Sequence, residues 1–569
     1  MLILGISEEH DAGISIILDG KIIFAVNEER YTRNKLQDGW PRHSLKKALK
    51  FLHEKNLQNK IKHIAVASKT HIKSFDNIKS KSIIYLMIRF LGRYYPIFTI
   101  GNNKMVNALR ILLTIFQFPR KLRIKRKLKK SFSKKNLKIT YIDHHDCHAY
   151  SAVMTSGWHK CFVVTSDGAG DGASSKSYIY NNHQLKHVKM VPFFHSIGYY
   201  YTLITYYLGF KSGREGKVTG LSAHGCYKKT LPIFERFIRY DQKKRTIKNY
   251  GRYLFDNMPL LKKELKFYSN KDIAAGIQKH LENTIIEYIS GILKENVKER
   301  YVKLALAGGV FANVLLNSKI AELPQISDIY IHPNMGDGGL ATGAAFAVLK
   351  KISPNTKSLR LNHVYLGFNY KNEEIIKLLK EKKIKHKVYD NIEKEIAKLL
   401  SKGKVIARFE GGMEYGPRAL GHRSILYSAK DSSVNTWLNK KLKRTEYMPF
   451  APAVMEEVVD KYFIIKKKSF ACEFMTIVCE ATELAKNKCP AVVHIDGTAR
   501  PQIVKEKISP SYWKILNEYR KITGVGVLVN TSFNMHEEPI IENPMQAVKA
   551  FKQAQLDALA IGNVLVFKI

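Results

Sequence analysis

The chain has 569 residues, 45% of them hydrophobic, and 94 lysines and arginines against 49 aspartates and glutamates, a formal charge of +45. That length exceeds a single core and predicts about two to four domains. The composition is that of a soluble globular protein. Its six cysteines (Cys147, Cys161, Cys226, Cys472, Cys479, Cys489) form no CxxC pair, which excludes a zinc knuckle or a disulfide framework.

Met1-Leu2-Ile3-Leu4-Gly5 runs straight into a strand with no basic leader. No apolar run reaches the roughly eighteen residues a bilayer span needs, so a cytoplasmic protein is expected. The charge would attract phosphates, nucleic acid or an anionic membrane. Lysine-rich runs such as Lys466-Lys467-Lys468 are scattered, however, which favours lysine simply replacing other polar surface residues. Charge alone therefore selects no partner.

In chain order, residues 2–7, 12–18 and 21–26 read as strands, with Asp19-Gly20 as a hairpin turn. The first connection, Ser7-Glu8-Glu9-His10-Asp11-Ala12-Gly13, is small and polar. This opening suits a ribonuclease-H-like nucleotide fold whose first turn faces phosphate. The cluster Asn27-Glu28-Glu29-Arg30 can reach the same cleft or be solvated. Residues 41–55 read as an amphipathic helix and Ile64 to Ala67 as a strand. Residues 69–138 read as a basic helical insertion, with a dense tract from Arg120 to Lys130. Helices of this kind either pack an apolar face on the core or lie in a membrane interface, and packing is the commoner outcome.

Leu137 to Ile142 reads as a strand, and Asp143-His144-His145-Asp146-Cys147-His148-Ala149 opens a helix. Residues four apart share a helix face, so His144 and His148 can share one metal ion or simply pack at a helix start. A buried strand, Cys161 to Thr165, ends in Ser166-Asp167-Gly168-Ala169-Gly170-Asp171-Gly172. Glycines there allow backbone close to phosphate, and a carboxylate at a strand end can hold a metal. Strand Lys303 to Leu306 leads into Ala307-Gly308-Gly309 and on to Asn313, a geometry that lets a nucleoside lie on backbone. Asp337, in Met335-Gly336-Asp337-Gly338-Gly339, begins a helix of small residues and is free to act as a ligand.

A break at Lys350 to Asn362 separates domains 1–355 and 356–569. The second contains the segment from Glu410 to Leu426, then Lys443-Arg444-Thr445-Glu446-Tyr447-Met448-Pro449-Phe450-Ala451-Pro452, Asp496-Gly497-Thr498-Ala499-Arg500-Pro501-Gln502, and Asn530-Thr531-Ser532-Phe533-Asn534. Arginines set among glycine and proline in apolar surroundings meet a phosphate or a structural carboxylate.

Taken together these motifs resemble the NodU/CmcH-type O-carbamoyltransferases over essentially the whole chain. The matching stretches are EEHDAG, NEER, DHHDCHAYSA, SDGAGDG, EGKVTGLSAHG, AGGVFANVLLN, MGDGGLATGAA, GMEYGPRALGHRSIL, RTEYMPFAP, DGTARPQ and NTSFN. The resemblance implies an α/β chain: a duplicated ribonuclease-H-like (ASKHA) domain followed by a YrdC-like α/β domain. It also implies a two-step reaction. Carbamoyl phosphate and ATP give carbamoyl-adenylate in the C-terminal domain, and the carbamoyl group then passes to an acceptor hydroxyl, expected on a sugar of a polysaccharide, glycolipid or secondary metabolite. An enclosed path would protect the labile mixed anhydride from water.

Position by position, the resemblance implies His144, His148, Asp167 and Asp337 as metal ligands, a donor set that suits iron(II), with manganese or zinc as alternatives. It places His10 and Asp11 at the acceptor, with His10 as general base. It places Arg418, Arg423, Lys443, Arg444, Arg500, Ser532 and Asn534 around Mg-ATP and carbamoyl phosphate, and Gly168, Gly170, Gly308, Gly309 and Asn313 at an N-domain nucleotide. Many relatives carry an extra arginine before Pro-Phe-Ala-Pro where this chain has Met448, which leaves the register of Lys443 and Arg444 open.

Three rival readings compete with this one. Threonylcarbamoyl transfer to tRNA would suit the charge, but the fused C-terminal domain and its motifs point to small acceptors, so no nucleic acid is expected. Hydrogenase-maturation transfer needs CxxC zinc sites that are absent. A non-enzymatic basic surface protein would make residues 69–138 its working part, and any peripheral membrane contact would lie there too.

Overall fold

The computed structural model describes residues 1–70, 117–132, 137–252, 254–442 and 450–568. Most of the expected insertion, including the apolar segment from Ile83 to Leu91, therefore lies outside the described residues, as do Lys443 and Arg444. The chain forms two compact units. The first comprises Met1–Lys21, Asp38–Trp40 and Leu57–Arg360, and the second Ile22–Gln37, Pro41–Asn56 and Leu361–Ile569.

The first unit is built on a repeated strand pattern. Leu2–Ser7 pairs antiparallel with Gly13–Leu18 on one side and parallel with Ile61–Ala67 on the other, and Ile61–Ala67 pairs parallel with Lys138–Ile142. In the second sheet Lys160–Gly170 takes the central place. It pairs antiparallel with Ala173–Asn181 and parallel with Val302–Ala307, which pairs parallel with Ile326–Ile331. Each central strand thus has a hairpin partner on one side and two parallel strands on the other. All six residues of Leu2–Ser7 are buried, as expected of a strand covered on both faces.

Helix Leu340–Ile352 packs on both helix His144–Ser156 and strand Leu2–Ser7. Its residues from Leu340 to Lys350 are all buried, and five of them are alanine or glycine. The small residues follow from the closeness of the backbones. A Cβ placed on Gly343 would fall on the Cys147 carbonyl, and one on Gly5 would fall on the Ala341 carbonyl. Those two contacts fix how far Asp337, just before this helix, lies from the histidines.

The second unit carries a mixed sheet in the order Lys387–Val388, Val564–Phe567, Ala558–Ile561, Ile406–Phe409, Arg423–Ser428, Val527–Ser532, Ala451–Met455 and Gln502–Val504. Helices Ile392–Ser401 and Pro510–Thr523 pack against each other beside it. The Asn27–Arg30 cluster belongs to this unit. Glu28 is 2% exposed and accepts the amides of His43 (2.8 Å) and Ser44 (2.7 Å) at the start of helix Arg42–Glu54, while Arg30 donates to the Gly416 carbonyl at 2.5 Å. Solvation does not describe Glu28 or Arg30, because buried charge takes the partners its own core supplies.

Among the described residues no helix is long and apolar enough to cross a membrane. In helix Phe118–Ser131 the apolar positions Ile124 and Leu128 are buried, so this part of the insertion packs inward.

Gly343→Ala should lower the unfolding free energy in urea by about 1–3 kcal/mol, the usual cost of overpacking. Gly216→Ala, in a helix with open space around the added carbon, should change it by less than about 1 kcal/mol or stabilise. Equal effects at the two positions would contradict the close approach.

Candidate metal centre

Helix His144–Ser156 begins at Asp143, whose side chain accepts the amides of His145 (3.1 Å) and Asp146 (3.3 Å) and is held by the buried Lys176 ammonium at 2.6 Å. One turn apart on this helix, His144 and His148 have ring centroids 4.8 Å from each other. Asp167 lies toward the end of strand Lys160–Gly170 and accepts the Gly309 amide at 2.9 Å. Asp337 opens the turn before helix Leu340–Ile352. His148 Nε2 lies 3.1 Å from Asp167 Oδ2 and 3.5 Å from Asp337 Oδ1, and His144 Nε2 lies 3.5 Å from Asp337 Oδ1. One ligand atom from each of the four residues lies within 4.8 Å of the others, the one such group among the described residues.

The donor set fits a divalent cation. His144 Nε2, His148 Nε2 and Asp337 Oδ1 are shut off from water and, beyond the close approaches within this cluster, make no well-formed hydrogen bond. Leaving such atoms unsatisfied costs about 1–3 kcal/mol each. Two imidazoles and two carboxylates suit iron(II), manganese or zinc.

The electrostatics agree. Burial by itself disfavours the charged form of His144, but the carboxylates of Asp337, Glu9 and Asp167 outweigh it and raise its pKa to about 10. His148 is raised too, against burial, by Asp167 and Asp337. Asp167 is held far below the usual carboxylate range despite burial, chiefly by His148 and His144. A cation here takes the place of protons.

Three groups that the sequence does not single out hold His144. Its Nδ1 lies 3.2 Å from Ser68 Oγ and 3.6 Å from Glu9 Oε2, and its amide donates to Asp171 at 2.8 Å. Asp171 also accepts from the Lys69 amide (2.9 Å) and from the amide and hydroxyl of Thr70 (both 2.6 Å). His10 and Asp11 lie on the same turn as Glu9, but the side chain this turn brings to His144 is that of Glu9. His145 turns away, with Nδ1 2.8 Å from Thr165 Oγ1 and Nε2 3.1 Å from the Ala173 carbonyl.

The glycines act mainly through closeness. Gly170 lies against the His144 ring and Gly168 against that of Tyr199, each with no room for a Cβ. Gly308 has φ +110° against the Ser166 carbonyl, and its amide donates to Met335 at 2.6 Å. The amides of Gly308 and Gly309 are thus already engaged within the chain. Asn313 caps helix Val314–Ala321 through the Leu316 amide (3.0 Å) and donates to Gln278 at 2.7 Å.

In the second unit, Arg418 and Arg500 converge. The Nε of each is buried without a partner, and Arg500 is held well below its ordinary pKa by burial and then by the charge of Arg418. Burial lowers Arg418 to about 10. Two guanidinium groups close enough to influence each other's charge, each with a buried, unpaired Nε, are a candidate anion site. The loop carrying Arg418 is held by the buried Glu414 carboxylate, which accepts the amides of Leu420 (2.9 Å), His422 (2.9 Å) and Arg423 (3.0 Å). Gln502 donates to the Leu420 carbonyl at 2.8 Å, and Asn530 donates to Gln502 at 2.7 Å.

Of the other residues expected around ATP, Arg423, Asn534 and Ser532 are among the described residues. Arg423 is 0% exposed, stacks 3.6 Å from the Phe409 ring centroid, and donates to the carbonyls of Glu410 (2.5 Å), His422 (3.1 Å) and Gly411 (3.1 Å). It holds a turn. Asn534 donates to the carbonyls of Met535 (2.8 Å) and Glu538 (2.9 Å). Ser532 ends strand Val527–Ser532, opposite Ser424.

Because protons hold the place a cation would take, metal binding should release protons and weaken as pH falls from about 8 to about 6, with His144 protonated below a pKa of about 10. Calorimetry in buffers of different ionisation heat measures both effects. An affinity independent of pH would contradict the assignment.

Residues 2–346 match the family model for the carbamoyltransferase N-terminus, and residues 397–568 match that for the carbamoyltransferase C-terminus. An uncharacterised protein of Methanocaldococcus jannaschii is 35% identical over 78% of this chain and 76% of its own length. Nodulation protein NolNO of Sinorhizobium fredii is 30% identical over 98% of this chain and 79% of its own length. Among solved structures, component A of Acidaminococcus fermentans (R)-2-hydroxyglutaryl-CoA dehydratase aligns at a TM-score of 0.33 and 14% identity over 62% of this chain and 98% of that one, too weak to carry an assignment. With matching models over both its N- and C-terminal parts, the chain belongs to the carbamoyltransferase family.

Proposed function

We propose that the protein is an O-carbamoyltransferase that works in two steps, one in each unit. Carbamoyl phosphate, ATP and one water give carbamoyl-adenylate, pyrophosphate and phosphate. An acceptor hydroxyl oxygen then bonds to the carbamoyl carbon as the bond to AMP breaks, and the hydroxyl proton leaves to a base. The acceptor is read as a sugar hydroxyl.

The observation that carries this reading is the His144–His148–Asp167–Asp337 group, two buried imidazoles turned toward two half-buried carboxylates. A carbamoyl carbon is a poor electrophile because nitrogen donates into the carbonyl. A divalent cation held by these four residues would supply Lewis acidity to that carbonyl. Glu9 and Ser68 hold the far nitrogen of His144 and so aim its Nε2 inward. His10, one residue beyond Glu9, is the proposed proton acceptor for the hydroxyl.

Arg418 and Arg500 are the proposed seat of the polyphosphate, since two unpaired guanidinium groups are stabilised by the charge that ATP brings. The repeated strand pattern of the first unit supports the duplicated ribonuclease-H-like reading, and the mixed sheet of the second is the proposed YrdC-like domain.

His144→Ala should abolish carbamoyl transfer while sparing carbamoyl-phosphate-dependent ATP–pyrophosphate exchange. Arg500→Ala should reduce that exchange by at least about a hundredfold, the scale of losing one preorganised charge contact. Loss of both steps in His144→Ala would sink the division of labour, and unchanged exchange in Arg500→Ala would sink the adenylate site.

A further inference from the structure

Eight of the fourteen residues of helix Phe118–Ser131 are basic and none is acidic. One face is anchored. Ile124 and Leu128 are 0% and 1% exposed, and Arg120 donates to Glu8 (2.7 Å) and to the carbonyls of Ser68 (3.0 Å) and Ala67 (3.2 Å). On the other side, Arg123, Arg126, Lys127 and Lys130 follow one another at i, i+3, i+4 and i+7, so they share a face about 10 Å long. With Pro119 and Leu122 they line an open groove of about 350 Å³, whose wall among the described residues is this one helix.

A basic helix face is commonly no more than a solvated surface, but three features set this one apart. The cations crowd one another: Lys127 is held below its ordinary pKa by burial and then by Arg123, with Glu8 opposing. The open space beside them is large enough to admit a small molecule. It is also rooted at the metal centre, because Arg123 reaches both oxygens of Glu8 at 3.1 Å and the next residue, Glu9, contacts His144.

We propose that this groove binds the diphosphate of a nucleotide-linked sugar and so presents the sugar acceptor to the metal centre. The proposal rests on the transfer reading above and gives its acceptor a chemical class. Two phosphates fit a 10 Å row of cations, and Leu122 and Pro119 offer apolar flanks for a base or sugar ring. A bilayer fits less well, since the helix's apolar stripe at Ile124 and Leu128 is already buried and only Phe118 and Leu122 remain exposed at one end.

The test is calorimetric titration of the full chain with uridine and guanosine diphosphate sugars, without ATP or carbamoyl phosphate. Arg126→Glu/Lys130→Glu is the variant, and unchanged circular dichroism and melting serve as the fold check. At least one sugar nucleotide should bind the wild type, with affinity falling as salt rises and falling at least tenfold in the variant. No binding, or equal binding in both proteins, overturns the proposal. Wild-type retention on phosphatidylglycerol vesicles that the variant loses, without sugar-nucleotide binding, also overturns it and makes the face a membrane contact. Failure of ATP–pyrophosphate exchange would instead strike the transfer reading, which this titration does not use.

Discussion

Four polar groups that water cannot reach in full, His144, His148, Asp167 and Asp337, meet within 4.8 Å, and much of the first unit is organised to make that juxtaposition tolerable. Charges removed from water need compensation. Here it comes as imidazolium against carboxylate, or as one cation shared by all four. The surroundings hold each ligand separately. Asp143 and Lys176 fix the helix start, Asp171 ties the His144 amide to the turn at Lys69 and Thr70, and Gly309 restrains Asp167. The packing of Gly343 on Cys147 sets how near Asp337 comes. A loose version of this cluster would be both less stable and a poorer ligand set.

The second unit solves the converse problem. Arg418 and Arg500 are desolvated cations, and each leaves its Nε unpaired. Their loop is held in place by the buried Glu414, Gln502 and Asn530, so the strain of the like charges is stored by rigid neighbours. On the two-step reading proposed above, the two arrangements would suit opposite halves of the chemistry: guanidinium groups for anionic substrates, and a metal-ligand set for an unreactive carbonyl.

How much of this the sequence discloses depends on whether a periodicity exists to read. His144 and His148 are visible because a helix repeats every 3.6 residues, and Asp167 and Asp337 because glycine-rich stretches follow or surround them at strand and helix ends. Glu9, Ser68 and Asp171 lie in turns, where nothing in the local pattern says which side chain faces inward. Glu8 and Glu9 are neighbours with different partners, one on Arg120 and the other on His144. Arg418 and Arg423 stand in one motif, yet Arg423 begins a buried strand and bonds to carbonyls while Arg418 does not. The assignment of residues 22–37 and 41–56 to the second unit is a non-local outcome that no window of sequence contains.

The claim on which the rest hangs is that the four-residue cluster binds a metal. Elemental analysis of protein purified without added chelator, beside Asp337→Asn and a fold-matched control, addresses it directly. The account predicts a near-stoichiometric transition metal in the wild type and little in Asp337→Asn, with both proteins melting cooperatively. Equal metal content in the two, or none in a wild type that still transfers carbamoyl groups, would contradict it.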